Sequence, residues 1–318
     1  KIGFHLERSP FDKKKKIVII GGGPAGMEAA RVAALRGHQV SLYEKKNYLG
    51  GQLRYAYMPY GREEIENVIN YLETQIRKLK VKITLNKEAD EKIVENENPD
   101  AVIISVGAVP IIPPIPGING KNVFLACDAL DGKVNVGQDV VIIGGGTIGC
   151  EAAIDIAKIG AMPSDVACYL LKNGVIDKDE LIEYISHGTK NVTILEMKSK
   201  LGSGFGKSTK WVILKEIKDA GVNSINKVKV LRINDIGQDQ PEAGNHDNVK
   251  KEIIYELDGK EKTIKADTII LAAGYKANNT FAEHFNGKFS EVYSIGDCRN
   301  VETAMGAIHE GFKVGLSI

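Results

Sequence analysis

Two stretches of this chain repeat one design. Residues 17–45 read IVIIGGGPAGMEAARVAALRGHQVSLYEK, and residues 140–153 read VVIIGGGTIGCEAA. Each is a short, all-apolar, β-branched run, then a glycine turn, then a helix-forming run. Such an apolar run suits a strand buried on both faces of a parallel sheet. In the first stretch Gly21, Gly23 and Gly26 fit G-x-G-x-x-G, with Pro24 and Ala25 between the last two. The first glycine permits the tight turn, the second lets a pyrophosphate approach the backbone, and the third lets the helix pack close to the strand. The N–H groups and dipole of the helix start favour an anion. Gln39–Tyr43 reads as the next strand, followed by Glu44 and Lys45. Glu44 lies 44 − 21 = 23 residues after the first glycine. That is close to the spacing of roughly 20 residues expected of an acid that binds a ribose hydroxyl.

The second stretch has Gly144, Gly146 and Gly149, with Thr147 and Ile148 between the last two. Its next strand is expected at residues 191–195, ending in Glu196. Here the spacing is 196 − 144 = 52, too long for a simple unit. Residues 162–190 are therefore read as an insertion between helix and strand. They form one or two helices punctuated by Pro163 and Gly174. A surface excursion is the expectation, and a partner-docking element the alternative. Two dinucleotide sites in one chain point to two dinucleotides that react with each other. FAD and NAD(P)H are the economical pair.

A length of 318 residues suits two domains. A formal net charge of +1 gives no general attraction to nucleic acid or to anionic membranes, so neither is expected as a partner. The basic run at residues 13–16 precedes the first strand and reads as its solvated entry. No apolar run approaches the length of a membrane helix. Cys127, Cys150, Cys168 and Cys298 are too far apart for a C-x-x-C, so no redox pair, zinc site or iron–sulfur site is expected within the chain. Free thiols fit a reducing, cytoplasmic setting. The polar lead KIGFHLERSPFDKKKK, opening on Lys1, reads as an interior segment of a longer polypeptide.

Between the glycine loops, Gly50-Gly51-Gln52 reads as a tight polar bend beside a cofactor, with Leu53 after it. A helix is expected over 63–80, and strands over 81–85 and 101–105. Gly107 follows, and the Pro-rich IIPPIPGING is expected to cover a cofactor and lead toward the second domain. After the second loop, a helix is expected over 207–220 and strands over 228–233, 252–257, 262–264 and 268–271. A polar, mobile loop is expected at NDIGQDQPEAGNHDNVK. Ala272-Ala273-Gly274 echoes the segment ending in Gly107. A strand at 292–295 leads to Gly296 and Asp297, then to a helix over 303–316. Asp297 either accepts hydrogen bonds from cofactor hydroxyls or caps that helix.

Three phrases, YLGGQLRYA, LGSGFGKSTKWVILKEIKDAGV and SIGDCRNVETAMGAIHEGF, complete a resemblance that covers nearly the whole chain. The chain resembles the two-dinucleotide flavoprotein reductase superfamily. Within it the likeness is to the C-terminal half of the multidomain NADH:flavin oxidoreductases, such as 2,4-dienoyl-CoA reductase, 2-enoate reductase and trimethylamine dehydrogenase. The resemblance implies an α/β fold of two Rossmann-like domains. An NAD(H) domain (131–264) is inserted into a split FAD domain (1–130 and 265–318). It implies FAD on Gly21, Gly23, Gly26, Glu44, Gln52 and Asp297, with Pro24, Ala25, Lys45, Gly51, Leu53, Gly107 and Gly296 beside them. It implies NAD(H) on Gly144, Gly146, Thr147, Ile148, Gly149 and Glu196, with Gly274 near the entrance. It further implies FMN and a [4Fe–4S] cluster on a (β/α)8 barrel preceding this chain. The expected activity is hydride transfer from NADH to FAD, with no catalytic side chain required. His309, in the last helix, is read as packed or solvated, with a catalytic role as the alternative. Oligomerisation is compatible with all of this. Two rivals are a stand-alone reductase serving a separate protein acceptor and a non-catalytic ADP- or FAD-binding module.

Overall fold

The computed structural model describes residues 13–59, 61–236, 250–285 and 287–318. The N-terminal lead before Lys13 and most of the expected polar loop (237–249) lie outside the described residues. The chain divides into two compact units. Unit 1 is Lys1–Val109 with Tyr275–Ile318, and unit 2 is Pro110–Gly274.

Unit 1 begins with β1 (Lys16–Ile20), α1 (Pro24–Leu35), β2 (Gln39–Tyr43) and the short α2 (Leu53–Tyr57). Then come α3 (Glu66–Lys78), β3 (Lys82–Thr84), α4 (Glu91–Glu97), β4 (Ala101–Ile104) and β5 (Ala108–Pro110). Unit 2 follows with β6 (Val123–Leu125), α5 (Ala126–Leu130), β7 (Asp139–Ile143) and α6 (Thr147–Ala157). The inserted helices α7 (Ser164–Lys172) and α8 (Lys178–Ser186) precede β8 (Asn191–Glu196), α9 (Lys210–Asp219) and β9 (Asn223–Asn226). An antiparallel meander of β10 (Lys229–Ile236), β11 (Lys250–Leu257) and β12 (Lys260–Ala266) leads to β13 (Thr268–Leu271). The chain then re-enters unit 1 through β14 (Tyr275–Ala277), α10 (Asn279–Glu283), β15 (Glu291–Ser294) and α11 (Ala304–Ser317).

The two units share a four-strand order, β4-β1-β2-β3 matching β13-β7-β8-β9, and differ in the outer strand, which is the last strand of unit 1 and the first of unit 2. The parallel sheet of unit 1 runs β15-β4-β1-β2-β3, and that of unit 2 runs β6-β13-β7-β8-β9. The order places each glycine-loop strand at the centre, where both of its faces are covered. That explains the all-apolar runs. Ile17 and Ile19 point into one core with Leu42 and Ile76, while Val18 and Ile20 point into another with Val102 and Phe285. Val140 and Ile142 enter a helix-covered core, and Val141 and Ile143 a core shared with Ile253 and Tyr255 of the meander. Successive strand residues alternate faces, so a strand covered on both sides must be apolar throughout. Each such side chain contributes about 1.5–3 kcal/mol when fully buried.

Helix α11 packs along α1 through small residues. A Cβ on Gly311 would lie 2.2 Å from the Ala25 carbonyl oxygen, and one on Gly315 would lie 2.9 Å from that of Ala29. The expected insertion is two helices, with Pro163 capping α7 and Asp177 with Glu180 forming a capping box on α8.

Three expectations shift. The unit boundaries fall at 109/110 and 274/275 rather than at 130/131 and 264/265. The reason is β6, which pairs in parallel with β13 and so draws the segment before it into unit 2. The Pro-rich crossing belongs to the core of unit 2: Ile118 is buried there, and Ile233 N–H donates to Pro116 O at 2.8 Å. The basic run is not simply solvated, because Lys15 pairs with Glu291 and Lys16 with Glu97.

Candidate functional site

The two glycine loops are built alike. Gly21 (φ +105°) and Gly144 (φ +109°) adopt a backbone that side chains rarely tolerate. An added Cβ at Gly21 would lie 2.4 Å from Ser105 O, and one at Gly144 2.4 Å from Ala272 O. At Gly26 and Gly149 it would lie 2.1 and 2.0 Å from the carbonyl oxygens of Gly21 and Gly144. The chain's own packing therefore demands glycine at the first and third positions.

The middle glycines differ. A Cβ at Gly23 would meet only Gly51 Cα, at 4.0 Å, and one at Gly146 would meet Ser203 O at 3.7 Å. Both residues have ordinary negative φ (−74° and −73°) and stand at helix N-caps without a side-chain cap bond. Ser, Asp or Asn would cap these helices better. Nothing inside the protein requires glycine there, so each leaves a cradle that a side chain would fill.

An acid flanks each cradle. Gly22 N–H donates to Glu44 Oε2 at 2.7 Å and Lys46 N–H to Oε1 at 2.9 Å. Gly145 N–H donates to Glu196 Oε2 at 2.5 Å and Lys198 N–H to Oε1 at 2.7 Å. Both side chains are buried. Each oxygen has accepted one bond and keeps capacity for another donor. The 52-residue gap does not displace Glu196, because α7 and α8 are looped out. Gly188 N–H returns to Ala157 O at 2.9 Å, and Thr189 N–H to Ile159 O at 2.8 Å.

The remaining candidates separate. Gly51 lies against Gly23, and a Cβ on it would be 3.0 Å from Gly23 Cα. Gln52 Nε2 donates to Ala108 O at 3.0 Å, fastening the bend to β5. Pro24 and Ala25 open α1, as Thr147 and Ile148 open α6. Leu53 is a correction: its side chain is in the core of unit 1, and its N–H is spent on Gly50 O at 3.1 Å. Lys45 is exposed, beside Glu88 at 3.9 Å. Gly107 and Gly274 end β4 and β13 at equivalent turns. Gly296 N–H donates to Glu310 Oε2 at 2.7 Å. Asp297 Oδ1 accepts from Glu302 N–H at 3.2 Å, while Thr303 caps α11. Burial pushes the Asp297 carboxyl up, with Glu302 and Glu310 adding repulsion. His309 is exposed. Burial pushes the Cys150 thiol up to about 11 and raises that of Cys298, so neither of these two is held as a ready thiolate.

The sequence reading marks the bend at Gly50-Gly51-Gln52 but misses that it braces the first loop and that a matching elbow braces the second. Gly50 N–H donates to Gly22 O at 2.8 Å, and Gly202 N–H to Gly145 O at 2.7 Å. Leu49 and Leu201 lie over Gly22 and Gly145. A constant offset carried the signal: 196 − 44, 201 − 49 and 202 − 50 all equal 152. Ser105 was also missed. Its Oγ lies 3.0 and 2.9 Å from the carbonyl oxygens of Ile20 and Gly21, tying the first loop to β4.

A model of the family described as pyridine nucleotide-disulphide oxidoreductase matches residues 15–311. A metal reductase of Desulforamulus reducens is 34% identical over 315 residues, covering 98% of this chain and 45% of its own length. An NADH oxidase of Thermoanaerobacter brockii is 33% identical over 323 residues, covering 99% of this chain and 43% of its own. Among solved structures, a 2-naphthoyl-CoA reductase complex aligns with a TM-score of 0.77 at 30% identity, over 99% of this chain and 41% of that one. The chain thus spans less than half the length of these relatives. Among the described residues, no helix is long and apolar enough to cross a membrane.

Proposed function

This chain belongs to the pyridine nucleotide-disulphide oxidoreductase family, and on that premise we propose that it binds FAD on the first glycine loop, NADH on the second, and passes reducing equivalents from one to the other. The observation that carries this reading is the paired cradle. Of the three motif glycines in each loop only the middle one lacks an internal reason to be glycine, and a buried acid stands beside it.

The donor sets fit the two groups. In unit 1, Gly23 and the first turn of α1 would receive the FAD pyrophosphate, Glu44 an adenosine ribose hydroxyl and Asp297 a further hydroxyl. In unit 2, Gly146 with Thr147 and Ile148 would receive the NADH pyrophosphate and Glu196 its ribose. Once bound, the two cofactors would supply the chemistry, hydride transfer from nicotinamide to flavin. The protein's part is orientation and electrostatics. The helix N-termini would receive the phosphates, the acids would hold the riboses, and the buried thiols would take no part. Without a C-x-x-C the chain lacks the dithiol through which disulfide-reducing members would act.

The length of the relatives supports an acceptor in a further domain, which we infer to be a (β/α)8 barrel carrying FMN and a [4Fe–4S] cluster. A separate protein acceptor is the alternative. Anaerobic addition of NADH to the purified flavoprotein tests the central reading. Bleaching of the flavin band is expected, whereas a protein without flavin, or one whose flavin NADH leaves oxidised, would refute it. Iron–sulfur absorbance in the full-length gene product separates the two acceptors.

A further inference from the structure

The two elbows share Leu-Gly and diverge at the next residue. The offset that relates Glu44 to Glu196 places Ser203 opposite Gly51, since 203 − 51 = 152. Ser203 forms a parallel β-bridge with Gly146, the middle glycine of the second loop. A Cβ at Gly146 would lie 3.7 Å from Ser203 O and 3.9 Å from its Oγ. The hydroxyl therefore borders the cradle itself. Ser203 is half-buried, and among the described residues its hydroxyl makes no hydrogen bond to protein. Thr147, at the first position of α6, stands by the same elbow, with its Oγ1 2.7 Å from a Cβ built on Gly204. The first loop has neither hydroxyl, because its counterparts are Gly51 and Pro24.

Resting on the assignment of the second loop to the nicotinamide dinucleotide, we propose that Ser203 is a pyrophosphate-binding residue of that site, donating its hydroxyl proton to a phosphate oxygen. Hydrogen bonds to charged acceptors are the strong ones, and a hydroxyl without an internal partner loses nothing in turning toward one. The second loop thus grips a diphosphate with a side-chain donor as well as with backbone. The first loop holds its ligand with backbone alone at this point.

The test compares diphosphate with nucleoside in the flavin-loaded protein. ADP-ribose is titrated calorimetrically, and adenosine by ligand-observed NMR, into wild type, Ser203→Ala, Ser203→Gly and Ser203→Thr. Loss of one bond to a charged group predicts ADP-ribose affinity about tenfold weaker in the alanine and glycine variants. Adenosine affinity and flavin content should be unchanged, and threonine should retain most of the ADP-ribose affinity. Equal ADP-ribose affinity in all four proteins overturns the role of Ser203 while leaving the site intact. Parallel weakening of adenosine also overturns it, because the elbow would then be merely structural. A wild type that binds neither ligand instead removes the assignment of the second site.

Discussion

Gly23 and Gly26 stand three residues apart in one loop, yet they answer to different forces. Gly26 is held by the fold, since a methyl there would sit 2.1 Å from Gly21 O and 2.4 Å from Ser105 Oγ. Gly23 has room for a methyl as far as the protein is concerned. Gly26→Ala is therefore expected to destabilise the apoprotein by about 1–3 kcal/mol, the usual range for overpacking. Gly23→Ala should melt with the wild-type apoprotein but emerge from purification with little flavin. Thermal melts of apoproteins alongside flavin absorbance check both; full FAD occupancy in a folded Gly23→Ala protein would detach the first loop from FAD. Glu196 makes a second residue-level prediction. Its carboxylate is fixed by the N–H groups of Gly145 and Lys198, which leaves lone pairs free for the ribose hydroxyls proposed to bind there. A 2′-phosphate would meet a like charge there and lose those bonds. Lys198 and Lys200 soften the repulsion, so a preference for NADH of about ten- to a hundredfold is expected, equivalent to about 1–3 kcal/mol. Glu196→Ser should narrow it. Stopped-flow flavin reduction by each nucleotide gives the ratio, and equal efficiency in wild type would mean Glu196 is not the ribose ligand.

Among the elements, α4 shows how one side chain can tie a sheet together. Glu97 accepts from Lys82 Nζ at 2.9 Å, Tyr43 OH at 2.7 Å and Lys16 Nζ at 3.0 Å, reaching all three of β1, β2 and β3. These bonds, with that from Lys82 the largest cause, hold its carboxyl down from 4.5 to about 2. Because the folded value is depressed, the stabilisation is complete above the ordinary value and is lost as pH falls toward 2. Glu97→Gln should melt below wild type at neutral pH, and the difference should shrink between pH 4.5 and 2. Melting curves across that range check it; a constant difference would assign the effect to packing. The inserted helices invite the opposite experiment. Their ends meet at Ala157–Gly188 and Ile159–Thr189, so replacing residues 162–187 with a short glycine-containing turn should preserve folding, flavin and reduction by NADH. A shortened protein that keeps FAD but is no longer reduced would give α7 and α8 a role in the reaction. Elements with strong periodicity or punctuation were legible in the sequence: the buried strands, the paired loops and the Pro163/Gly174 breaks. The bend at Gly50-Gly51-Gln52 was legible too, but its bracing of the first loop and the matching elbow of the second were not, because Leu49-Gly50 and Leu201-Gly202 have no local period. They show only when the two halves are aligned on their acids.

At the scale of the chain, one four-strand order is used twice, with the second copy spliced into the first. The splice was legible, but its edges were not, and β6 shows why. Val123–Leu125 is three residues long, too short for any periodic signal, and only pairing with β13 reveals which sheet owns it. Once that strand is counted, unit 2 runs from Pro110 to Gly274 with its two ends side by side: Ile111 N–H donates to Gly274 O at 2.9 Å. An insertion whose ends already meet asks no strain of its host. It has its own five-stranded sheet, its own meander and two cores of its own. Its 274 − 110 + 1 = 165 residues are ample for an independent domain. Residues 110–274 produced alone should therefore unfold in a single cooperative transition and carry no flavin. They should also bind NADH, seen as enhanced nicotinamide fluorescence or a raised melting temperature. Shortening the piece to 131–264, which removes β6 and β13, should abolish cooperative unfolding. If the shorter piece folded and the longer did not, the division at 109/110 and 274/275 would be wrong. If 110–274 folded but ignored NADH, the second glycine loop would need unit 1 to hold its nucleotide.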